Sequence, residues 1–287
     1  MENIGEQELW SFYDSSLDAR RAKVSDVRKG AGHRVGSYLE LATKVAELQF
    51  RNPDYVLLFR GQTGDYGNVK KNTSLKPSLF RPIGKKNPNA SQLTQRFQIL
   101  ERAERELVVR YEQQKLLGVA RLKRHRILRW SILQHYEVCP TPLLDVTHSL
   151  RIAASFASYP AQDDAFLFVL GVPNLSGAIT ASAEAGLQIV RLSSVCPPTA
   201  VRPHIQEGYL LGEYPDLGGY TQKELYHHYE IDFGRRLVAK FCFDPEKLWK
   251  NDDFPKVAHS ALYPSEEEDP LCKLASAVKT AANPPMP

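Results

Sequence analysis

Helical spacing runs through the first half of this chain and short apolar runs crowd the second, with little alternation between the two. That order most constrains the fold. A doubly wound parallel sheet needs strand and helix to alternate. This order predicts instead an α+β fold, with a helical N-terminal part packed on a mixed or antiparallel sheet core. Tyr38, Leu39, Leu41, Val45, Leu48 and Phe50 recur at helical spacing before Asn52-Pro53. Leu93, Phe97, Leu100, Leu107, Val108 and Tyr111 do the same, with Ser91 as the expected N-cap. A second helix follows through about Tyr136. Residues 55–62 (YVLLFRGQ), 165–172, 187–192, 208–214 and 235–243 read as strands, and 141–147 as a short strand and turn. Leu150, Ala153, Ala154 and Ala157 form a narrow helix face of small residues, able to sit close to a sheet. Residues 1–34 read as an N-terminal helical arm. Residues 35–250 read as the main domain, and 251–287 as a partly disordered C-terminal extension ending in NPPMP.

Composition narrows the class. With 287 residues, 43% apolar and 24% charged, the chain is neither disordered throughout nor too small for a core. No apolar run reaches the roughly 20 residues that cross a bilayer, and the first ten residues do not read as a secretory signal. Cys139, Cys196, Cys242 and Cys272 form no C-x-x-C pair. Sparse thiols without an export signal imply a reducing, cytoplasmic setting. Residues 1–160 carry 26 Lys and Arg against 16 Asp and Glu, and the remainder 11 against 17. The two halves neutralise one another within one fold, or the first half presents a basic face to nucleic acid. The densest basic segment holds Lys115, Arg121, Lys123, Arg124, Arg126 and Arg129.

Three clusters could carry chemistry. Arg60 closes an apolar strand in Phe59-Arg60-Gly61-Gln62. A guanidinium there holds a phosphate or carboxylate through two charged hydrogen bonds, or pairs with an acidic neighbour inside the fold. Gly61 lets another backbone or a phosphate come close. The second cluster is Gln134-His135-Tyr136, followed by Asp145, Thr147 and Ser149. Asp145 sits in an apolar run and needs partners, for which His135, Arg60 or backbone N–H groups serve. His135 is either a general base or a hydrogen-bonded core histidine. Asp145, Thr147 and Ser149 could equally cap the next helix. The third cluster is Arg202, Gln206, Glu207, Gly208 and Tyr209, where Glu207 is a candidate acid, base or ribose-hydroxyl acceptor. The motifs G-x-G-x-x-G, G-x-x-x-x-G-K-[ST], H-E-x-x-H and G-x-S-x-G are all missing. No metal is expected.

The order of these clusters resembles the FRG domain family. Phe59-Arg60-Gly61-Gln62 is followed by Pro77-Ser78-Leu79-Phe80-Arg81, Gln134-His135-Tyr136, Pro140-Thr141-Pro142-Leu143-Leu144-Asp145-Val146-Thr147 and Ala153-Ala154-Ser155-Phe156-Ala157. Arg202, Gln206, Gly208 and Tyr209 fit the family's last piece, so the resemblance spans about residues 35–245. Glu137, Pro142 and Val146 stand where the family has Gly, Arg and Trp. A more distant similarity is to ADP-ribosyltransferases of the Arg–Ser/Thr–Glu type, which implies a split sheet and NAD as substrate. Their pattern matches Arg60 and then Thr147 with Ser149. Gln206 and Glu207 lie near the third piece, with Gly208 in the place of its final Glu. The resemblance implies an anion clamp at Arg60 with Gln62, and catalytic roles for Arg60, His135, Asp145 and Glu207. It implies aromatic surfaces for nicotinamide at Tyr136 and Tyr209. The expected function is an NAD-using transferase acting as a toxin or defence effector. The alternative is a nucleic-acid or small-ligand binding module, with a protein partner possible in either case.

Overall fold

The computed structural model describes residues 7–13, 16–84, 86–159, 161, 163–251 and 254–282. Ten strands are described: β1 (Glu8–Ser11), β2 (Arg20–Lys23), β3 (His33–Arg34), β4 (Val56–Gln62), β5 (Leu144–Thr147), β6 (Ala165–Val172), β7 (Ile179–Ser182), β8 (Leu187–Arg191), β9 (Gly208–Glu213) and β10 (Leu237–Phe243). Described helices of six residues or more are α1 (Val24–Lys29), α2 (Tyr38–Arg51), α3 (Ala90–Gln113), α4 (Val119–Arg124), α5 (Arg126–His135), α6 (Leu150–Ser158) and α7 (Pro270–Ala282). The chain divides into two compact units, and one of the divisions falls inside β5, after Asp145.

The first unit comprises residues 1–75, 146–175 and 232–259. Its strands run in the order β3-β10-β6-β4-β5. β3 lies parallel to β10 while the other pairs are antiparallel, so the sheet is mixed, as an α+β fold requires. β6 and β10 are buried along nearly their whole length, which is why both read as continuous apolar runs rather than alternating ones. Phe59 of β4 stands opposite Thr147 of β5.

The helix α6 approaches β4 closely. A Cβ built on Gly61 would lie 1.9 Å from the carbonyl oxygen of Ala153 and 2.9 Å from the nitrogen of Ala157. The small-residue face of α6 therefore has the expected role. The close approach that Gly61 allows is to this helix rather than to a ligand.

The N-terminal residues depart from a helical arm. β1 and β2 pair, with Glu8 opposite Lys23 and Leu9 opposite Ala22. Asn52 fastens them to the end of α2, its Oδ1 accepting the Trp10 N–H at 3.0 Å. Two ion pairs with buried cations lie in the same unit. Arg28 donates to Asp232 at 2.7 Å, and Lys240 contacts Asp65 at 2.5 Å and Thr73 Oγ1 at 2.9 Å.

The second unit comprises residues 76–145, 176–231 and 260–287, with strand order β5-β9-β8-β7. Leu100, Leu107, Tyr111, Trp130, Leu133, Leu192, Leu210 and Leu274 join in one core. The cap of α3 is Asn89 rather than Ser91. Asn89 Oδ1 accepts the Gln92 N–H at 2.9 Å, and the Gln92 side chain accepts the Asn89 N–H at 3.0 Å.

The C-terminal extension contains α7, whose Leu271, Leu274, Ala275 and Val278 are buried in this core. Residues 283–287 lie outside the described residues. Among the described residues no helix is long and apolar enough to cross a membrane, and all four cysteines are free thiols.

Candidate functional site

In the first unit, Arg60 and Gln62 share one face of β4. Gly61 faces α6, and strand alternation turns its two neighbours the other way. Arg60 is half-buried opposite Phe168 of β6. Gln62 Oε1 is buried and accepts no hydrogen bond from the described residues. Thr147 Oγ1 accepts the Ser149 N–H at 3.0 Å in the turn that leads into α6. Ser149 is the N-cap residue by backbone geometry, and its side chain makes no cap bond.

In the second unit, the last turn of α5 presents Gln134 and His135 to Asp145. Gln134 Nε2 donates to Asp145 Oδ2 at 2.6 Å, and His135 Nδ1 lies 3.4 Å from Oδ1. Gln134 Oε1 in turn accepts from Thr141 Oγ1 at 2.5 Å and Ser78 Oγ at 3.0 Å. The Asp145 side chain is 33% exposed. It is thus an accessible carboxylate gripped from the protein side.

The turn beyond α5 is closed by two backbone bonds. Glu137 N–H reaches Gln134 O at 3.0 Å and Val138 N–H reaches Leu133 O at 2.9 Å, with Glu137 left-handed at φ 55°. A left-handed position favours glycine, the residue that the resemblance expects there.

His135 is not placed as a general base. It is 3% exposed, and its Nε2 is buried without a hydrogen-bond partner among the described residues. Burial pushes its pKa below the ordinary histidine value, against the pull of Asp145. The ring is therefore neutral and orients Asp145.

Tyr136 does not offer a ring to a ligand. It is buried, and its hydroxyl donates to Asp269 at 2.8 Å. Burial and Asp269 raise its pKa. Asp269 Oδ2 also accepts the Arg202 N–H at 2.9 Å, and its Oδ1 accepts the Leu271 N–H at 3.0 Å, capping α7.

Arg202 pairs with Glu137 at 2.8 Å and lies over the rings of Tyr136 and Tyr263. Gln206 is buried, donating to Leu262 O at 2.6 Å, so it serves the fold. Glu207 is exposed and left-handed at φ 45°. Tyr209 is half-buried on β9 opposite Arg191. Gly208 cannot hold a larger residue without movement, since a Cβ there would lie 2.8 Å from Leu192 Cδ1 and 3.2 Å from His135 Cε1.

One protein-family model matches residues 56–165, and its description is the FRG domain. The chain carries an FRG domain. No curated protein and no solved structure matches the chain. The matched stretch runs from β4 to the first residue of β6, narrower than the 35–245 that the motifs suggested. It contains Arg60, Gln62, His135, Tyr136, Asp145, Thr147 and Ser149, while Gln206, Glu207 and Tyr209 lie beyond it.

The basic segment lies inside the matched stretch, and two of its six cations, Arg126 and Arg129, are held at the buried Glu104. Lys123 pairs with Glu112 at 2.5 Å. Arg126 and Arg129 each meet Glu104 at 2.9 Å, and Arg129 also donates to the carbonyls of Leu122 and Lys123. Lys115, Arg121 and Arg124 are exposed.

Reading the sequence placed Gln134 in a candidate cluster without giving it a role, and it gave none to Ser78 or Thr141, whose hydroxyls both meet Gln134 Oε1. All three lie in stretches that carry the resemblance, but their convergence is made only by the fold.

Proposed function

We propose that this FRG domain uses NAD as an ADP-ribosyltransferase-like enzyme, with Asp145 as the carboxylate that serves the nicotinamide ribose. The observation that carries the reading is Asp145 itself, an accessible carboxylate oriented by Gln134 and His135. Transfer from NAD breaks the bond between C1′ and the nicotinamide nitrogen. The electron pair leaves with nicotinamide, and C1′ passes through an oxocarbenium-like state. An acceptor oxygen then attacks C1′ and loses its proton. A carboxylate hydrogen-bonded to the ribose hydroxyls stabilises that cation more than the ground state. Asp145 supplies such an acceptor where Gly208 leaves no room for the transferase glutamate.

The resemblance gives Arg60 a role as anion holder for the pyrophosphate, and Arg60→Ala tests that role separately. A role as toxin or defence effector would follow from the same activity. The test is nicotinamide release from NAD by wild type, Asp145→Asn and Arg60→Ala, with circular dichroism to check folding. Release by wild type and its loss in a folded Asp145→Asn supports the reading. If no release occurs and nucleic acid binds with a steep salt dependence lost in Arg121→Glu/Arg124→Glu, the binding-module alternative replaces it.

A further inference from the structure

We propose that a groove between α3, α4 and α5 is a binding site for a phosphate group carried by a small molecule with an apolar body. The groove has a volume of about 800 Å³, the size of a small-molecule site. On α3, Glu101, Glu104, Arg105 and Val108 stand at i, i+3, i+4 and i+7, so one helix face supplies them all. The last turn of α4 adds Lys123, and the first turn of α5 adds Arg126 and Arg129. Among the described residues, four cations and two carboxylates line the groove. Glu112 pairs with Lys123 at 2.5 Å, and counting it still leaves one positive charge in excess. The group that completes this site is therefore an anion.

One carboxylate is used to set the arginines in place. Buried Glu104 accepts from Arg126 Nε and Arg129 Nε, each at 2.9 Å, and from Trp130 Nε1 at 2.8 Å. Arg129 is held further by the Leu122 and Lys123 carbonyls, which accept from its Nη1. Arg126 is held through Nε, and its guanidinium lies 5.0 Å over the Trp130 ring. Its two terminal nitrogens make no hydrogen bond among the described residues, and Nη2 comes only to 3.7 Å from Glu101 Oε1. A guanidinium fixed by Nε keeps its terminal fork for two oxygens of one anion. Its orientation is set before the ligand arrives, so less side-chain freedom is lost on binding. Arg105 is exposed and makes no hydrogen bond or ion pair among the described residues. The Lys123–Glu112 pair is exposed on both sides and exchanges partners at little cost. These donors come from three helices, more than the two oxygens of a carboxylate take up, and they suit the three terminal oxygens of a phosphate monoester. Val108 and the 48% exposed Val109 form an apolar wall for the rest of the ligand. The groove shares no residue with the Asp145 cluster, so the proposal does not rest on the NAD reading.

Isothermal titration calorimetry of the full chain with inorganic pyrophosphate at fixed ionic strength tests the site. Pyrophosphate should bind saturably, with a Kd of about 1 mM or lower. Arg105→Ala alters an exposed side chain and should weaken binding severalfold. Arg121→Ala, exposed on α4 but outside the groove, should weaken it less. Gly218→Ala tests the Arg126 fork without removing a charge. A Cβ there would lie 2.7 Å from Arg126 Nη1, the end of a flexible side chain, so the guanidinium swings aside while the backbone stays. Binding should fall roughly tenfold, the effect of a lost hydrogen bond to a charged group, with the thermal melt unchanged. No saturable binding, or equal losses in Arg105→Ala and Arg121→Ala, overturns the site. Loss in Arg60→Ala with both groove variants unaffected places the anion at the clamp expected for NAD, and that also overturns it. Succinate binding as tightly as pyrophosphate overturns the phosphate assignment. A single-stranded oligonucleotide that binds tighter than pyrophosphate and is weakened by the same variants overturns the small-molecule assignment in favour of a nucleic-acid backbone.

Discussion

Replacing Gly61 by Ala tests the packing that sets β4 against α6. The added methyl would stand 1.9 Å from the Ala153 carbonyl oxygen, where real Cβ contacts stay above 3.0 Å. The helix or the strand must therefore retreat by about 1.1 Å, the gap between those two distances. The obstacle is backbone, not the end of a flexible side chain. Ala153, Ala154 and Ala157 are fully buried, so the helix has little slack. Overpacking of a tight core costs about 1–3 kcal/mol, and a backbone clash belongs at the upper end, about 3 kcal/mol. At about 2–4 °C per kcal/mol for a chain of this size, the melting temperature should drop by about 6–12 °C. Urea denaturation followed by circular dichroism measures the loss. Gly219→Ala is the control, since nothing lies within 4 Å of its added methyl. It should stay within about 0.5 kcal/mol of wild type. Adding Ala153→Gly to Gly61→Ala should give no rescue, because the clash is with the carbonyl. A Gly61→Ala protein as stable as wild type, or a rescue by Ala153→Gly, would refute the reasoning.

Other outcomes follow from single features. Glu137→Gly relieves a left-handed residue at the end of α5 and gives up its pair with Arg202, whose largely buried side chain still lies over Tyr136 and Tyr263. It should gain about 0.5–1 kcal/mol in urea unfolding, and Glu137→Val should lose stability instead. His135 has its pKa lowered in the fold, so the unfolded chain binds the extra proton first. The stability from its neutral ring is complete above the unfolded value of about 6.5 and falls as pH drops below it, by up to about 1.4 kcal/mol per pH unit. That share of the slope should vanish in His135→Gln, read from urea midpoints between pH 7 and 5. Asp269→Ala strands the Tyr136 hydroxyl, the Arg202 N–H and the Leu271 N–H that it caps in α7. A loss of about 3–5 kcal/mol should appear in thermal or urea unfolding, with Asp269→Asn losing less.

The central strands and the main helices were legible because burial leaves a strong periodic signal. The strand at 165–172 was read with the bounds the structure gives. The first two strands were not, since β2 is Arg-Arg-Ala-Lys with only Ala22 buried. Four residues with one apolar member carry no period, and their pairing is decided by Asn52 and α2. α7 left a better trace. Leu271, Leu274, Ala275 and Val278 sit at i, i+3, i+4 and i+7, but the polar, proline-flanked context hid them. In the candidate site, Asp145 stood out as a carboxylate in an apolar run. Its grip on Gln134, Ser78 and Thr141 did not, because Ser78 comes from 56 residues before Gln134. Tyr136 and Gln206 looked like ligand groups only through the resemblance to the transferases. Their partners, Asp269 and the Leu262 carbonyl, come from a segment read as a tail.

The most direct test incubates the purified full chain with NAD, and then its Asp145→Asn variant, and follows free nicotinamide. The account predicts release by wild type and a fall of roughly tenfold or more in a variant whose circular dichroism is unchanged, as loss of a charged hydrogen-bond acceptor requires. Equal release by both proteins, or none by wild type with cell extract supplied as acceptor, would contradict it.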